Sequence, residues 1–301
     1  ASLALSLGSA LIVMGDAWIL KLIAAPLLGA GFGGLSMSFN TLFVTYFSQK
    51  NAGLLNVLNA TYGLGAVAAP WLLSQGLLSG GQLFAFIAVL SLVVMLGAWN
   101  IDDRVPNTTI VQDGNAELLR IYPLLVTAFL MLFLEAGLTY WLPSLLSASA
   151  SGEGIAAAYM SQFFFWFVIV RLSAAALATW VTTLGFALCG LVGISLSLGA
   201  VLVGAVALAD TSFTGAFMGL IFPNAYAWML KTGGGGTSTG ARVLLSAIAG
   251  ATVGPWVLGW ILPIGGQASV LWVLGLVSTL AATVMVITEL NARKYRSMRS
   301  Q

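Results

Sequence analysis

Gly65-Ala66-Val67-Ala68-Ala69-Pro70-Trp71-Leu72-Leu73 returns 185 residues later as Gly250-Ala251-Thr252-Val253-Gly254-Pro255-Trp256-Val257-Leu258, with five of the nine positions identical. Both copies sit in long apolar segments that carry no charge. The segment before each copy holds an aromatic step leading to an asparagine, Phe39-Asn40 in one half and Phe222-Pro223-Asn224 in the other. A repeat of that period in an apolar chain points to a membrane protein built from two related halves, and that construction points to a transporter. The sequence does not name the cargo.

Composition agrees. Of 301 residues 59% are hydrophobic and 7% charged, where a soluble domain carries about 25% charged residues. So few polar groups cannot cover a globular surface, and lipid is the expected solvent. The net charge of +2 gives no reason to expect nucleic acid as a partner. The single cysteine, Cys189, lies in an apolar run, and histidine is absent. That leaves no disulfide framework, no His or thiolate metal site and no His-based catalysis; neither a cofactor nor an enzymatic activity is expected.

A spanning helix needs about 20 apolar residues. Ten segments qualify: 1–15, 18–46, 53–75, 82–100, 122–147, 155–179, 183–208, 211–231, 241–263 and 267–289. The sixth and seventh are divided only by Trp180-Val181-Thr182. The runs are continuously apolar, unlike the alternating strands of a membrane barrel, so the fold class is all-α. The 35 glycines suit close helix approach in lipid.

The connectors alternate in charge. Lys50, Arg104, Arg120, Lys231, Arg242, Arg293, Lys294, Arg296 and Arg299 fall on one side, and Lys21, beside Asp16, is the only base on the other. The positive-inside rule places the first set, and both chain ends, in the cytoplasm. The longest polar connector, 101–121, is expected to be a central cytoplasmic loop. It divides an N-terminal half, 1–100, from a six-helix half, 122–301. The repeat pairs the third span with the ninth, six helices apart, so the first half is also expected to have six helices. Four are present. The chain begins at Ala1, without Met, inside an apolar run, which reads as a truncation that removes two helices.

Two six-helix halves around a central loop resemble the major facilitator superfamily. Gly31-Phe32-Gly33-Gly34, Asn40 and the run from Leu54 through Asn56, Asn59, Tyr62 and Gly65 to Pro70 resemble the fourth and fifth helices of the fucose permease-like sugar symporters. Glu135-Ala136-Gly137 with Trp141-Leu142-Pro143 is similar to their seventh helix, and Arg171-Leu172 to a Gly-Arg-Leu step in their eighth. Gly219-Leu220-Ile221-Phe222-Pro223, with Gly250 and Pro255, is similar to their tenth and eleventh. The resemblance implies spans three to twelve of that fold, a sugar as solute, a proton as coupling ion and the cytoplasmic (inner or plasma) membrane as location.

The residues can be read apart from the resemblance. Glu135 lies mid-span, about 20 Å from either end at 1.5 Å per residue. A carboxylate at that depth is costly, so it is functional or paired. The functional reading is proton coupling; the alternative is a hydrogen-bonded structural acid. Arg171 is the other charge well inside a span and reads as structural or gating. Asn40, Asn59 and Asn224 are neutral hydrogen-bonding groups inside apolar helices and are candidates for lining a cavity. Tyr140, Trp141, Gln162 and Trp166 add rings and an amide. Rings stack on the C–H faces of a sugar while amides meet its hydroxyls, although rings near helix ends also form interfacial belts. Pro70, Pro223 and Pro255 kink their helices and are candidate gates. Lys231-Thr232-Gly233-Gly234-Gly235-Gly236 lacks the Gly-Lys-Ser/Thr ending of a phosphate loop, so nucleotide binding is not expected.

These residues are best accounted for by a monomeric secondary transporter in the lipid bilayer. It would move a small polar solute, a sugar, with protons, by alternating access about a midplane cavity. Efflux of an amphipathic compound, or a non-transporting receptor on the same fold, are the alternatives.

Overall fold

The computed structural model describes residues 1–47, 52–98, 118–149, 153–177, 179–233 and 237–299. Among them are nine α-helices, one short 3-10 turn and no strand: α1 Ser2–Met14, α2 Trp18–Phe47, α3 Ala52–Ser74, α4 Gly80–Ala98, α5 Leu118–Ser149, α6 Glu153–Leu177, α7 Thr183–Leu202, α8 Thr214–Thr232 and α9 Thr237–Arg299. Six stretches among the described residues are long and apolar enough to cross a membrane, and the last of them, Thr239–Lys294, is 56 residues long. The protein is a multi-pass membrane protein.

A 56-residue helix would be far longer than the roughly 30 Å hydrocarbon core. The chain breaks it at Gly266, whose φ of 68° and ψ of −167° are non-helical. Such a conformation favours glycine, which has no Cβ to clash. Leu258 and Leu274, equidistant from Gly266 along the chain, both reach Gly137 of α5. The chain therefore reverses at Gly266, and α9 is two arms, 237–265 and 267–299. The other narrow boundary falls at Trp180-Val181-Thr182. There α6 has ended, and the Thr182 hydroxyl accepts the Gly185 amide at 3.1 Å to cap α7, meeting one of the donors a helix start leaves unpaired.

The chain divides into two compact units, Ala1–Thr108 and Thr109–Gln301. The expected central loop and its charges lie mostly outside the described residues. In the first unit, α1 packs against α2 and α4. Gly8 admits Leu28, whose backbone nitrogen would lie 2.9 Å from an added Cβ, and the Ser6 hydroxyl donates to the Ala88 carbonyl at 3.0 Å. Lys21 pairs with Asp16 at 3.2 Å across the α1–α2 turn. Phe86, Val89, Val93 and Leu96 on α4 are exposed, an apolar surface that suits lipid rather than water.

The second unit is held by glycines set against backbone. On α9, Gly250 lies on the carbonyl of Phe129, and a Cβ at Gly254 would come 2.6 Å from the carbonyl oxygen of Phe133. On α8, Gly215 lies on the carbonyl of Phe163, and a Cβ at Gly219 would come 2.5 Å from that of Phe167. In both pairs, glycines four apart on one helix meet phenylalanines four apart on another. Water cannot drive helices together in lipid, so this close backbone contact supplies the dispersion energy instead. Leu258 and Leu274 of α9 are buried where they meet Gly137 of α5.

Candidate functional site

Glu135 sits in the middle of α5 and is half-buried. The charge that acts on it is Arg171 of α6. Arg171 is itself buried, 8% exposed. Its Nε donates to the Gly219 carbonyl of α8 at 3.3 Å, and its guanidinium carbon stands 4.0 Å from the centroid of the Phe167 ring. An acid on α5, a base on α6 and a helix carbonyl on α8 thus form one electrostatic group inside a mainly apolar unit. Charged groups are kept at such depth when they have each other as partners.

About one and a half turns beyond Glu135, Tyr140 and Trp141 open onto a groove. Their rings meet edge to face, 5.3 Å apart at 75°. The groove has a volume of about 770 Å³ and is completed by Thr252, Pro255, Trp256, Gly259, Trp260, Pro263 and Ile264 of α9. That volume falls within the range of small-ligand sites. The Trp141 indole donates its N–H to the Pro255 carbonyl at 2.9 Å. This fixes the ring as one wall, and Gly259 leaves room for it, since an added Cβ would lie 3.1 Å from the indole edge. Tyr140, Trp256 and Trp260 present large exposed faces.

The remaining candidates are spread across the unit. Gln162 on α6 is exposed, and its carbonyl accepts the Ser212 hydroxyl at 3.2 Å. Trp166 is exposed and meets Phe165 edge to face at 5.7 Å. Asn224 on α8 is half-buried, and its amide donates to the Leu220 carbonyl of its own helix at 2.8 Å. Pro255 is inside α9 and Pro70 inside α3. The side chains of Asn40, Asn56 and Asn59 lie outside the described residues. The structure thus gathers Tyr140, Trp141 and Pro255 at one groove, with Glu135 earlier on the same helix as the two rings and acted on by Arg171 of α6. Gln162, Trp166 and Asn224 belong to the α6–α8 side.

Glu289 was not among the sequence candidates. On α9 it accepts the Trp228 indole N–H of α8 at 2.9 Å and Arg293 Nε at 2.8 Å, with its side chain 14% exposed. The signal was present: an acid four residues before an arginine at the end of an apolar run. Replacing Trp228 by phenylalanine is expected to keep the ring packing and remove one donor from this carboxylate. Unfolding of the purified protein in detergent is expected to show a loss of about 1–3 kcal/mol; an unchanged midpoint would mean that water replaces the indole.

No family model matches the sequence, and no characterised protein matches it by sequence comparison. Structural comparison does find relatives. A crystal structure of a variant of the E. coli fucose:proton symporter FucP is similar over 97% of this chain and 81% of its own, with a TM-score of 0.67 and 19% identity. A second structure of FucP, a major facilitator superfamily transporter in the outward conformation, gives 0.67 and 18% over 97% and 80%. The fold is that of the major facilitator superfamily. Both of these structures are of transporters, not enzymes.

Proposed function

We propose that the protein is a secondary transporter that moves a sugar together with protons by alternating access. The observation that carries this reading is the likeness over 97% of the chain to a fucose:proton symporter, in a chain that also carries an acid, Glu135, and a buried base, Arg171, inside apolar helices. Glu135 is the proposed proton site. The groove further along α5 is the proposed sugar contact: the exposed rings of Tyr140, Trp256 and Trp260 offer flat faces for pyranose C–H groups, while the Tyr140 and Thr252 hydroxyls offer polar contacts. Gln162, Trp166, Asn224 and the two asparagines of the first unit, Asn40 and Asn59, are secondary candidates. In this reading the ten apolar segments are ten spans, the basic connectors and both ends face the cytoplasm, and the protein works as a monomer in the cytoplasmic membrane.

The test is uptake of a panel of labelled sugars into proteoliposomes under an imposed inward proton gradient. Accumulation of one sugar that collapses with a protonophore is the expected result. The exposed aromatic groove also favours a second reading, export of an amphipathic compound. That reading takes over if no sugar moves and such a compound flows outward.

A further inference from the structure

We propose that the middle of α8 is a hinge and that Arg171 is the positioning residue that pins it. Pro223 lies inside α8. It has no amide hydrogen, so the Gly219 carbonyl one turn earlier loses its helical donor. An unpaired carbonyl is costly in lipid. Arg171 Nε supplies the missing donor from the neighbouring helix, at 3.3 Å. Two features hold the guanidinium in place. It stacks 4.0 Å above the ring of Phe167, one turn earlier on α6. Gly219 also brings α8 within reach, because a side chain there would collide with the Phe167 carbonyl. The Asn224 side-chain amide adds a second donor at the next carbonyl, that of Leu220.

The two ends of α8 are held differently. Before the kink, Gly215 and Gly219 are pressed against the backbone of α6, and Phe217 fits over Gly190 and Gly193 of α7. Those contacts leave no room to slide. After the proline, the ties to α9 run through side chains, the Trp228–Glu289 hydrogen bond and Tyr226 and Leu230 beside Gly240, contacts that can re-form at another angle. A bend at 219–223 therefore swings 224–232 while the first half stays fixed. The Arg171 charge also acts on Glu135, so the pin is the element through which a change at that carboxylate reaches α8. This last link rests on the transporter reading above; the hinge itself does not.

The test is a double-mutant cycle read by hydrogen exchange on protein purified in detergent, with no solute present. Pro223→Ala returns an amide to the Gly219 carbonyl and makes the guanidinium redundant. Arg171→Met alone is expected to raise exchange about tenfold across 219–232 and to leave α7 unchanged. In the Pro223→Ala background the same substitution is expected to do little, and Arg171→Lys to fall between. An equal rise in both backgrounds would overturn the hinge, as would a rise spread evenly over α6, α7 and α8. Should Arg171→Met fail to fold alone, Pro223→Ala is expected to restore folding, and failure in both backgrounds would likewise overturn it. Because no transport is measured, a failed sugar assay leaves this result standing.

Discussion

Alanine at Gly250 is expected to abolish the folded second unit. The added methyl would fall against the backbone carbonyl of Phe129, and the next glycine on that face, Gly254, already leaves no more than 2.6 Å for a Cβ against the Phe133 carbonyl. A helix backbone cannot rotate out of the way as the tip of a side chain can. The first arm of α9 would have to retreat along its contact with α5. Two hydrogen bonds along that contact would then lengthen together: Ser246 to the Leu125 carbonyl at 2.8 Å and Trp141 to the Pro255 carbonyl at 2.9 Å. Overpacking costs about 1–3 kcal/mol where neighbours yield. Here they do not, and a domain has only about 5–15 kcal/mol in total. The measurement is the monodisperse fraction after detergent extraction, with Gly65→Ala as the control. Gly65 stands at the same place in the other copy of the repeat, but a Cβ there meets nothing within 4 Å. Alanine at Gly65 is therefore expected to be neutral or slightly stabilising, by helix propensity. Equal damage at the two sites would show that the repeat, rather than the backbone contact, sets the cost.

That contrast also shows what a sequence can carry. The repeat displays Gly65 and Gly250 as equals, and both prolines lie inside helices as expected. Which glycine is pressed against a neighbour depends on a helix far away in the chain, and no local pattern encodes it. The helix ends were legible because each is a local event. Trp180-Val181-Thr182 interrupts an apolar run with a capping threonine, and Gly265-Gly266 supplies the φ of 68° that a reversal needs. The all-helical build followed from hydropathy alone. The partners of polar side chains were not legible. Asn224 is a candidate for lining a cavity, and nothing in the chain announces that its amide bonds its own helix at 2.8 Å. Arg171 reads as a structural or gating charge well inside a span, but its partner, a carbonyl that a proline on another helix has stripped of its donor, could not be read from the chain. Glu289 was passed over among the terminal charges because nothing in its neighbourhood announces the indole of Trp228. In each case the missing fact is a through-space contact between helices whose separation along the chain carries no periodic signal.

Glutamine at Glu135 is expected to uncouple sugar movement from the proton gradient without stopping it. Glutamine has nearly the shape of the protonated acid and can hydrogen-bond, but it cannot release a proton. If the carboxylate carries the coupled proton, the wild-type protein accumulates sugar to a ratio of about tenfold per unit of imposed pH difference for one proton per solute, and Glu135→Gln brings that ratio to unity. Exchange of labelled for unlabelled sugar at equal pH needs no net proton transfer and is expected to persist. The pair of assays separates two roles for the same residue. A structural acid, hydrogen-bonded to a neighbouring helix, would be mimicked well by glutamine in both assays, so undiminished accumulation would remove the coupling role. Loss of both accumulation and exchange, with the protein still folded, would instead place Glu135 at the solute. Arg171 sharpens the comparison, because it is the charge acting on Glu135 and at the same time a donor to α8. In Glu135→Gln the guanidinium has lost the acid on α5 but keeps its carbonyl on α8, so α8 is expected to remain pinned. Lower hydrogen exchange across 224–232 in Glu135→Gln than in the wild type would then connect the carboxylate to the hinge. Unchanged exchange would leave proton release and helix motion as separate events.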